Sequence, residues 1–284
     1  MVKFKLIRTY HKEYKIFSDP YVLNVGNIWS AARKKQDVDW LLINMNFCPI
    51  LEPTVFNSMN AEWSIWNHVS RFYNIDNDTF LSFQHYSKVL DLTSIRDTPY
   101  NDIPDTENNL GEKYRAATSL DEFGYGDIDK YLDSYPVIVG NQYPCIVYQS
   151  IKSKLKIPVE EVLRQFRNIL INFNNSLFSV HMFDKYCNLN YQYWRGGPLI
   201  AKNSIFKKLL SFTIDFEHAF LDNKSYSDSS IYVLKDRRGN GYIGEIIMGF
   251  AIYCYIEDCK KQGKKIGYCR LLTDSNVVYS STGR

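Results

Sequence analysis

The stretch Phe80-Leu-Ser-Phe-Gln-His85-Tyr86-Ser87-Lys88-Val-Leu-Asp-Leu92 decides how this chain is read. An apolar run stops abruptly on an imidazole, a phenol, a hydroxyl and an amine. A strand that simply reaches the surface ends on polar residues. A strand of an open α/β sheet does something more specific, because its carboxyl end delivers side chains into a crevice where ligands bind. The surrounding elements decide between the two.

Working outward, residues 4–9, 39–44, 79–84, 135–139 and 197–201 read as short strands, and residues 21–25 lead toward another. Residues 57–73 place Met59, Trp63, Trp66, Val69, Phe72 and Tyr73 at helical spacing. Residues 158–173 predict a helix with Pro158 in its first turn, where a missing N–H costs nothing. Further helices are expected over 175–186, 204–221 and 242–259. Strands alternating with helices predict an α/β fold with a mostly parallel central sheet flanked by helices. Residues 92–130 are rich in Asp, Asn, Thr, Pro and Gly without a lasting period, and predict a long surface excursion of the kind that forms lids.

The chain has 284 residues, of which 45% are hydrophobic and 23% charged, enough apolar material for a full core. No apolar run reaches the roughly 20 residues of a membrane helix. The start alternates charged with apolar residues, lacks the apolar stretch of a signal peptide, and reads as the first strand of a cytosolic protein. Six cysteines without a C-x-x-C pair spell neither a disulfide framework nor a zinc site, and predict reduced structural thiols. The net charge of +3 gathers in clusters at Arg33-Lys34-Lys35, Lys152/Lys154/Lys156, Lys235/Arg237/Arg238 and Lys260-Lys261 with Lys264-Lys265. Such clusters meet phosphates of nucleotides, membranes or nucleic acids, or are solvated surface.

The motifs of several common enzyme classes are missing: there is no Walker A loop, no G-x-S-x-G and no H-E-x-x-H. Three D-x-D triplets occur, at Asp37/Asp39, Asp76/Asp78 and Asp127/Asp129. Each could hold Mg²⁺ or Mn²⁺ against a diphosphate, and each is also ordinary loop composition. Gly196-Gly197 follows Tyr193-Trp194-Arg195, which permits close backbone approach to a ligand with a guanidinium beside it, or a tight turn into a strand. Glu245 stands near the start of an otherwise apolar helical segment, as a general base or as a charge that favours the helix's positive end. Glu62 interrupts the Trp-rich helix, on its exposed face or as a ligand group.

The order of these features resembles a bacterial family of glycosyltransferase-like domains from capsule and O-antigen clusters that includes galactofuranosyltransferases. The resemblance rests on Thr9-Tyr10-His11-Lys12 at the first strand and Val25-Gly26 at the next. It continues through Asn60, Glu62, Trp66 and Asn67 in NSMNAEWSIWNHV, and His85-Tyr86 at a strand end. Later landmarks are YPVIV, GGPLIAKNSIF, and Arg238 followed by Gly241-Tyr-Ile-Gly-Glu245. The chain departs from the family at Ser87-Lys88, where the motif has two arginines, and at Ile246 after Glu245.

The resemblance implies one glycosyltransferase A-type, Rossmann-like domain over residues 1–284, with a nucleotide-sugar-binding half (1–140) and an acceptor-binding half (141–284). It implies transfer of a sugar from a nucleotide sugar, in the first instance a UDP-sugar, to an acceptor hydroxyl. Glu245 is the first choice for base and Glu62 the second. Thr9, His11, Gly26, Asn60, His85, Tyr86, Lys88, Arg195, Gly196, Gly197 and Arg238 are expected around the donor. A divalent metal is left open, because His85-Tyr86 stands where such enzymes often carry D-x-D. The acceptor is expected to be a glycan of a surface polysaccharide, with hydroxymethylated pyrimidine in phage DNA as the alternative. The contrasting reading is a non-catalytic module that binds carbohydrate or nucleotide. The oligomeric state is not addressed by these motifs.

Overall fold

The computed structural model describes residues 3–10, 15–27, 40–42, 75–85, 87–100, 109–140, 142–143, 158–189, 192–193, 199–222 and 239–273. The expected helix over 57–73 lies outside these residues. The strands are β1 (Phe4–Tyr10), β2 (Val22–Asn27), β3 (Trp40–Leu42), β4 (Phe80–His85), β5 (Lys88–Arg96), β6 (Val137–Gly140), β7 (Gln142–Tyr143), β8 (Gln192–Tyr193), β9 (Leu199–Lys202) and β10 (Ile266–Thr273). The helices are α1 (Asn109–Ala116), α2 (Ile128–Ser134), α3 (Val159–Phe173), α4 (Val180–Cys187), α5 (Asn203–Asp222) and α6 (Gly239–Lys261). Two 3₁₀ turns, Leu120–Phe123 and Tyr125–Asp127, precede α2.

Among the described residues eight strands form one sheet in the order β3-β2-β1-β4-β9-β6-β10-β5, and β7 pairs with β8 in a small ribbon. Within the large sheet β1–β2, β1–β4, β2–β3 and β6–β10 are parallel, whereas β4–β9, β6–β9 and β5–β10 are antiparallel. The sheet is therefore mixed, which corrects the expectation of a mostly parallel one. A buried strand such as Leu199-Ile-Ala201 is apolar on both faces, and that pattern is the same whichever way the strand runs.

Alternation along the strands sorts side chains onto two faces. Ile7, Leu81, Phe83, Val137, Val139, Leu199 and Ala201 face a layer made of α3, α4, α5 and α6. Phe4, Leu6, Phe80, Ile138, Ile200 and Cys269, together with Leu90 and Leu92 of β5, pack in one cluster with a second layer that contains Tyr114, Leu120, Phe123, Tyr125, Ile128 and Leu132. Residues 92–130 were expected to be a surface excursion. Their described parts instead complete β5 and build this second layer, because an aromatic or aliphatic anchor recurs every few residues among the polar ones. Ser119 and Glu122 form a capping box that starts the first 3₁₀ turn, and Gly124 ends it with a positive φ of 86°.

The helical layer has local causes. Asn174, in the left-handed conformation, ends α3. Ser179 Oγ accepts from Met182 N at 3.3 Å and starts α4. Asn203 begins α5 with its backbone N–H on Thr79 O (2.8 Å) and its side-chain amide on Ile75 O (3.2 Å). Phe166 is the centre of an aromatic cluster, with ring centroids 5.1 Å from Phe216, 5.3 Å from Phe220 and 5.6 Å from Phe183.

Removing that ring leaves a cavity that three neighbours cannot fill together. Phe166→Ala is expected to cost about 3–5 kcal/mol, read by urea denaturation followed by circular dichroism. A loss under about 1 kcal/mol would show that the layer repacks freely.

Candidate active site

The chain runs outward from β1 to β2 and β3, then returns to the other side of β1 with β4. Strand order reverses between β1 and β4, and beyond the carboxyl ends of such a pair an open sheet leaves a crevice. In the register of the sheet Thr9 is level with His85, Thr9 with Val25, and Tyr10 with Gly26. Three residues singled out in the sequence, Thr9, Gly26 and His85, thus lie on adjacent strands at one edge. Six strands, β1, β2, β3, β4, β6 and β10, point toward that edge, and β5 and β9 start from it.

At the end of β4 the chain turns through Ser87. His85 Nδ1 lies 2.7 Å from Ser87 Oγ and 3.4 Å from the Ser87 backbone nitrogen. That N–H can only donate, so Nδ1 accepts and the neutral ring carries its proton on Nε2. His85 is half-buried and Ser87 buried. Lys88 opens β5 opposite Thr273 of β10, and its carbonyl accepts from Arg8 Nη1 at 3.2 Å.

Arg8 was not foreseen as part of the site. It lies on β1 next to Thr9 and is 0% exposed. Its guanidinium also donates to Tyr114 Oη, and sits 5.1 Å from the Phe17 ring centroid and 5.7 Å from that of Tyr114. Asn24 and Gln84 flank it across the strands in the same row, both buried. Asn24 Nδ2 donates to Phe17 O (2.9 Å), and Gln84 Nε2 donates to Tyr125 Oη (2.7 Å) and Ser82 Oγ (3.2 Å). Burial holds the Tyr125 phenol well above its ordinary range, so it stays a neutral hydroxyl. The signal for Arg8 was present in Phe4-Lys-Leu6-Ile-Arg8: alternation puts the arginine on the inward face.

The end of α6 is joined to β10 by four residues, 262–265, so α6 descends toward the amino edge and its first turns stand at the carboxyl edge. From Lys261 back to Glu245 the helix rises about 24 Å, comparable with the length of β10. Glu245 is accordingly on the candidate-site end of α6. Its side chain, like those of Thr9 and Gly26, is not among those described. His11, Asn60, Glu62, Tyr86, Arg195, Gly196, Gly197 and Arg238 lie outside the described residues, as does the D-x-D of Asp37 and Asp39.

The other two D-x-D triplets are at ordinary structural tasks. Asp76 and Asp78 sit before β4 at the amino edge. Asp76 Oδ1 accepts from Asp78 N, Thr79 N and Thr79 Oγ1, and Oδ2 meets Lys3 Nζ at 2.7 Å. The Lys3 bond and the Thr79 hydroxyl hold the Asp76 carboxyl down at about 2. Asp78 pairs with Lys202 at 2.8 Å, and Asp127 with Lys130 at 2.6 Å. Among the described residues no three His, Cys, Asp or Glu side chains gather as a metal site. Nor is any helix among them long and apolar enough to cross a membrane. Cys187, Cys254, Cys259 and Cys269 are free thiols, and burial raises all four, Cys187 to about 12. Cys48 and Cys145 lie outside the described residues.

No family model matches the chain, and no curated protein matches it at a significant level. Among solved structures the chain is similar to the apo structure of the bifunctional glycosyltransferase WbbM. The TM-score is 0.59 at 12% identity, with 96% of this chain and 46% of that one covered. The chain spans about half the length of that protein. The likeness is one of fold.

Arg8→Met keeps much of the volume and removes the donors to Lys88 O and Tyr114 Oη. The buried Tyr114 hydroxyl and the half-buried Lys88 carbonyl then each lose one donor, at an expected cost of about 1–3 kcal/mol. Chemical denaturation measures the loss, and the His85 ring resonances should shift if the turn into β5 loosens. An unchanged midpoint together with unchanged His85 resonances would remove Arg8 from the framework of the site.

Proposed function

We propose that the protein is a glycosyltransferase that moves a sugar from a nucleotide sugar to an acceptor hydroxyl. What carries this reading is the meeting of Thr9, Gly26 and His85 at the β1/β4 switch point, in a chain whose fold is like that of a glycosyltransferase over 96% of its length. Residues 1–140 are read as the donor half and 141–284 as the acceptor half. The donor is read as a UDP-sugar and the acceptor as a glycan hydroxyl.

The chemistry asks for two things. Negative charge builds on the departing diphosphate as the bond from the anomeric carbon to its oxygen breaks, and cationic or N–H donors must meet it. The Nε2–H of His85 and the ammonium of Lys88 serve there, with Arg195 and Arg238 as further candidates. The acceptor hydroxyl must also lose its proton as its oxygen bonds to the anomeric carbon. The carboxylate of Glu245 receives that proton, and Glu62 is the second candidate. A divalent metal is left open. At the carboxyl edge the described groups are an imidazole and an amine rather than paired carboxylates, which suits a diphosphate approached by the protein's own cations.

Donor binding is tested by calorimetry with uridine, guanosine, cytidine and thymidine diphosphates, with and without Mn²⁺. One nucleotide should bind clearly, and no heat with any of them sinks the reading. With the binding nucleotide, His85→Ala and Lys88→Ala should each weaken affinity about tenfold, the worth of one charge-assisted hydrogen bond. Normal binding by both variants would return Phe80–Lys88 to a strand that merely ends at the surface.

Glu245→Gln keeps the shape and removes the base. Transfer, followed by product mass, should fall about 10²- to 10⁴-fold while donor affinity stays within a few-fold. Retained turnover would move the base to Glu62. Donor binding by the wild type without transfer to any glycan, lipid-linked sugar or hydroxymethylated DNA would favour a non-catalytic module.

A further inference from the structure

β7 and β8 are the described strands that the large sheet does not include. Gln142 pairs with Tyr193, and Tyr143 with Gln192. Residues directly opposite in an antiparallel pair lie on one face of it, so each face of this ribbon carries one tyrosine and one glutamine. None of the four carries a charge at neutral pH.

The register of the sheet places the ribbon beside the candidate site. Ser82 of β4 pairs with Ile200 of β9, and Ile200 with Ile138 of β6, so Ser82 and Ile138 are level. His85 is three residues beyond Ser82 and Gly140 two beyond Ile138, so β4 and β6 reach the carboxyl edge together. Only β9 lies between them, a separation of about 10 Å. Gln142 follows Gly140 by two residues and is within about 7 Å of it. On the other strand, residues 194–198, which include Arg195, Gly196 and Gly197, join β8 to β9, and β9 runs down from that same edge. Both strands of the ribbon are thus tethered to the edge at which β4 ends. The ribbon's further neighbour is α6, the helix that carries Glu245, which packs against β8.

We propose that the β7–β8 ribbon is the acceptor subsite and that it takes the end of a neutral glycan. A sugar ring has C–H groups that pack on an aromatic ring, and hydroxyls that pair with a primary amide, which offers both donors and an acceptor. A nucleic-acid backbone asks for cations instead, and the ribbon has none. The proposal rests on the glycosyltransferase reading for the reaction it serves. There the acceptor hydroxyl must lie between the base and the anomeric carbon, and the ribbon adjoins both α6 and the edge beside β4. The separation of about 10 Å between β4 and β6 leaves room for the transferred sugar between the diphosphate and the acceptor. The four residues hold the acceptor and take no part in moving its proton.

The test uses the full chain with neutral methyl glycosides and disaccharides of hexoses and 6-deoxyhexoses, as acceptors in transfer and as ligands in saturation-transfer NMR. Gln142→Ala, Tyr143→Ala, Gln192→Ala and Tyr193→Ala are compared with wild type. Because register partners share a face, either Gln142 and Tyr193 or Tyr143 and Gln192 should respond together. Acceptor KM should rise at least tenfold in that pair, with nucleotide affinity and thermal midpoint unchanged. Should an alanine variant unfold, Tyr143→Leu and Tyr193→Leu remove the ring and keep an apolar side chain. Unchanged acceptor KM in all four variants overturns the proposal, as does a loss of nucleotide affinity in step with it, or transfer to hydroxymethylated DNA and to no neutral sugar. If the wild type neither binds a nucleotide nor transfers a sugar, the glycosyltransferase reading fails on its own. The NMR signals then decide for the ribbon: saturation transfer lost in one register pair keeps it as a site for neutral sugar, and no signal from any glycoside overturns it.

Discussion

The structure depends on the connection between β4 and β5. These strands are fourth and eighth in the sheet, yet only residues 86 and 87 separate them in the chain. Three Cα–Cα steps reach roughly 11 Å, whereas four strand spacings in a flat sheet are about 19 Å. The sheet must therefore coil until its far edge approaches the end of β4. The coil is held by Arg8, whose buried guanidinium on β1 reaches the first carbonyl of β5 and the phenol of Tyr114 in α1. One charged side chain thus ties the central strand, the edge strand and the second layer together. Burying it is possible because its donors are met and its planar face rests on aromatic rings.

That coil also explains what the sequence could and could not disclose. Phe4-Lys-Leu-Ile, Tyr135-Pro-Val-Ile-Val and the amphipathic run from Val159 to Phe173 are local signals, and they form β1, β6 and α3 where the pattern puts them. The long helices from Asn203 and Gly239 were likewise visible, to within a few residues at each end. β5 was not visible. Residues 88–91 read as the tail of the stretch that ends β4 and residues 92–96 as the start of a polar excursion, because Asp91, Thr93 and Ser94 interrupt the apolar ones. Those polar groups satisfy one another instead: Thr93 bonds Asp91, and Ser94 Oγ donates to Asp91 O and accepts from Arg270 N where the β5–β10 register shifts. Such pairing is a property of the folded strand and leaves no local period. Strand direction is equally silent, and β9 shows it.

The candidate site was legible to the extent that it is made of strand ends. Thr9, Gly26 and His85 are reached by counting along apolar runs, and the sheet brings them to one edge. Arg8, Asn24 and Gln84 were passed over because alternation can put a polar residue on an inward face but does not show what would satisfy it there. Their burial is decided by partners distant in sequence: Lys88 and Tyr114 for Arg8, Tyr125 for Gln84.

The two ends of β4 carry different chemistry. Its amino end carries a D-x-D, the more suggestive motif on sequence alone, yet those carboxylates are occupied by Lys3, Lys202 and the Thr79 turn. Its carboxyl end carries only an imidazole and, three residues on, an amine. Yet the chain spends a buried arginine and a buried serine on fixing that turn. A turn of no consequence would not require a charged side chain inside the sheet to hold its backbone. These hydrogen bonds lie where six strands converge and strand order reverses, which is where an α/β sheet can present groups to a ligand without strain on its own core.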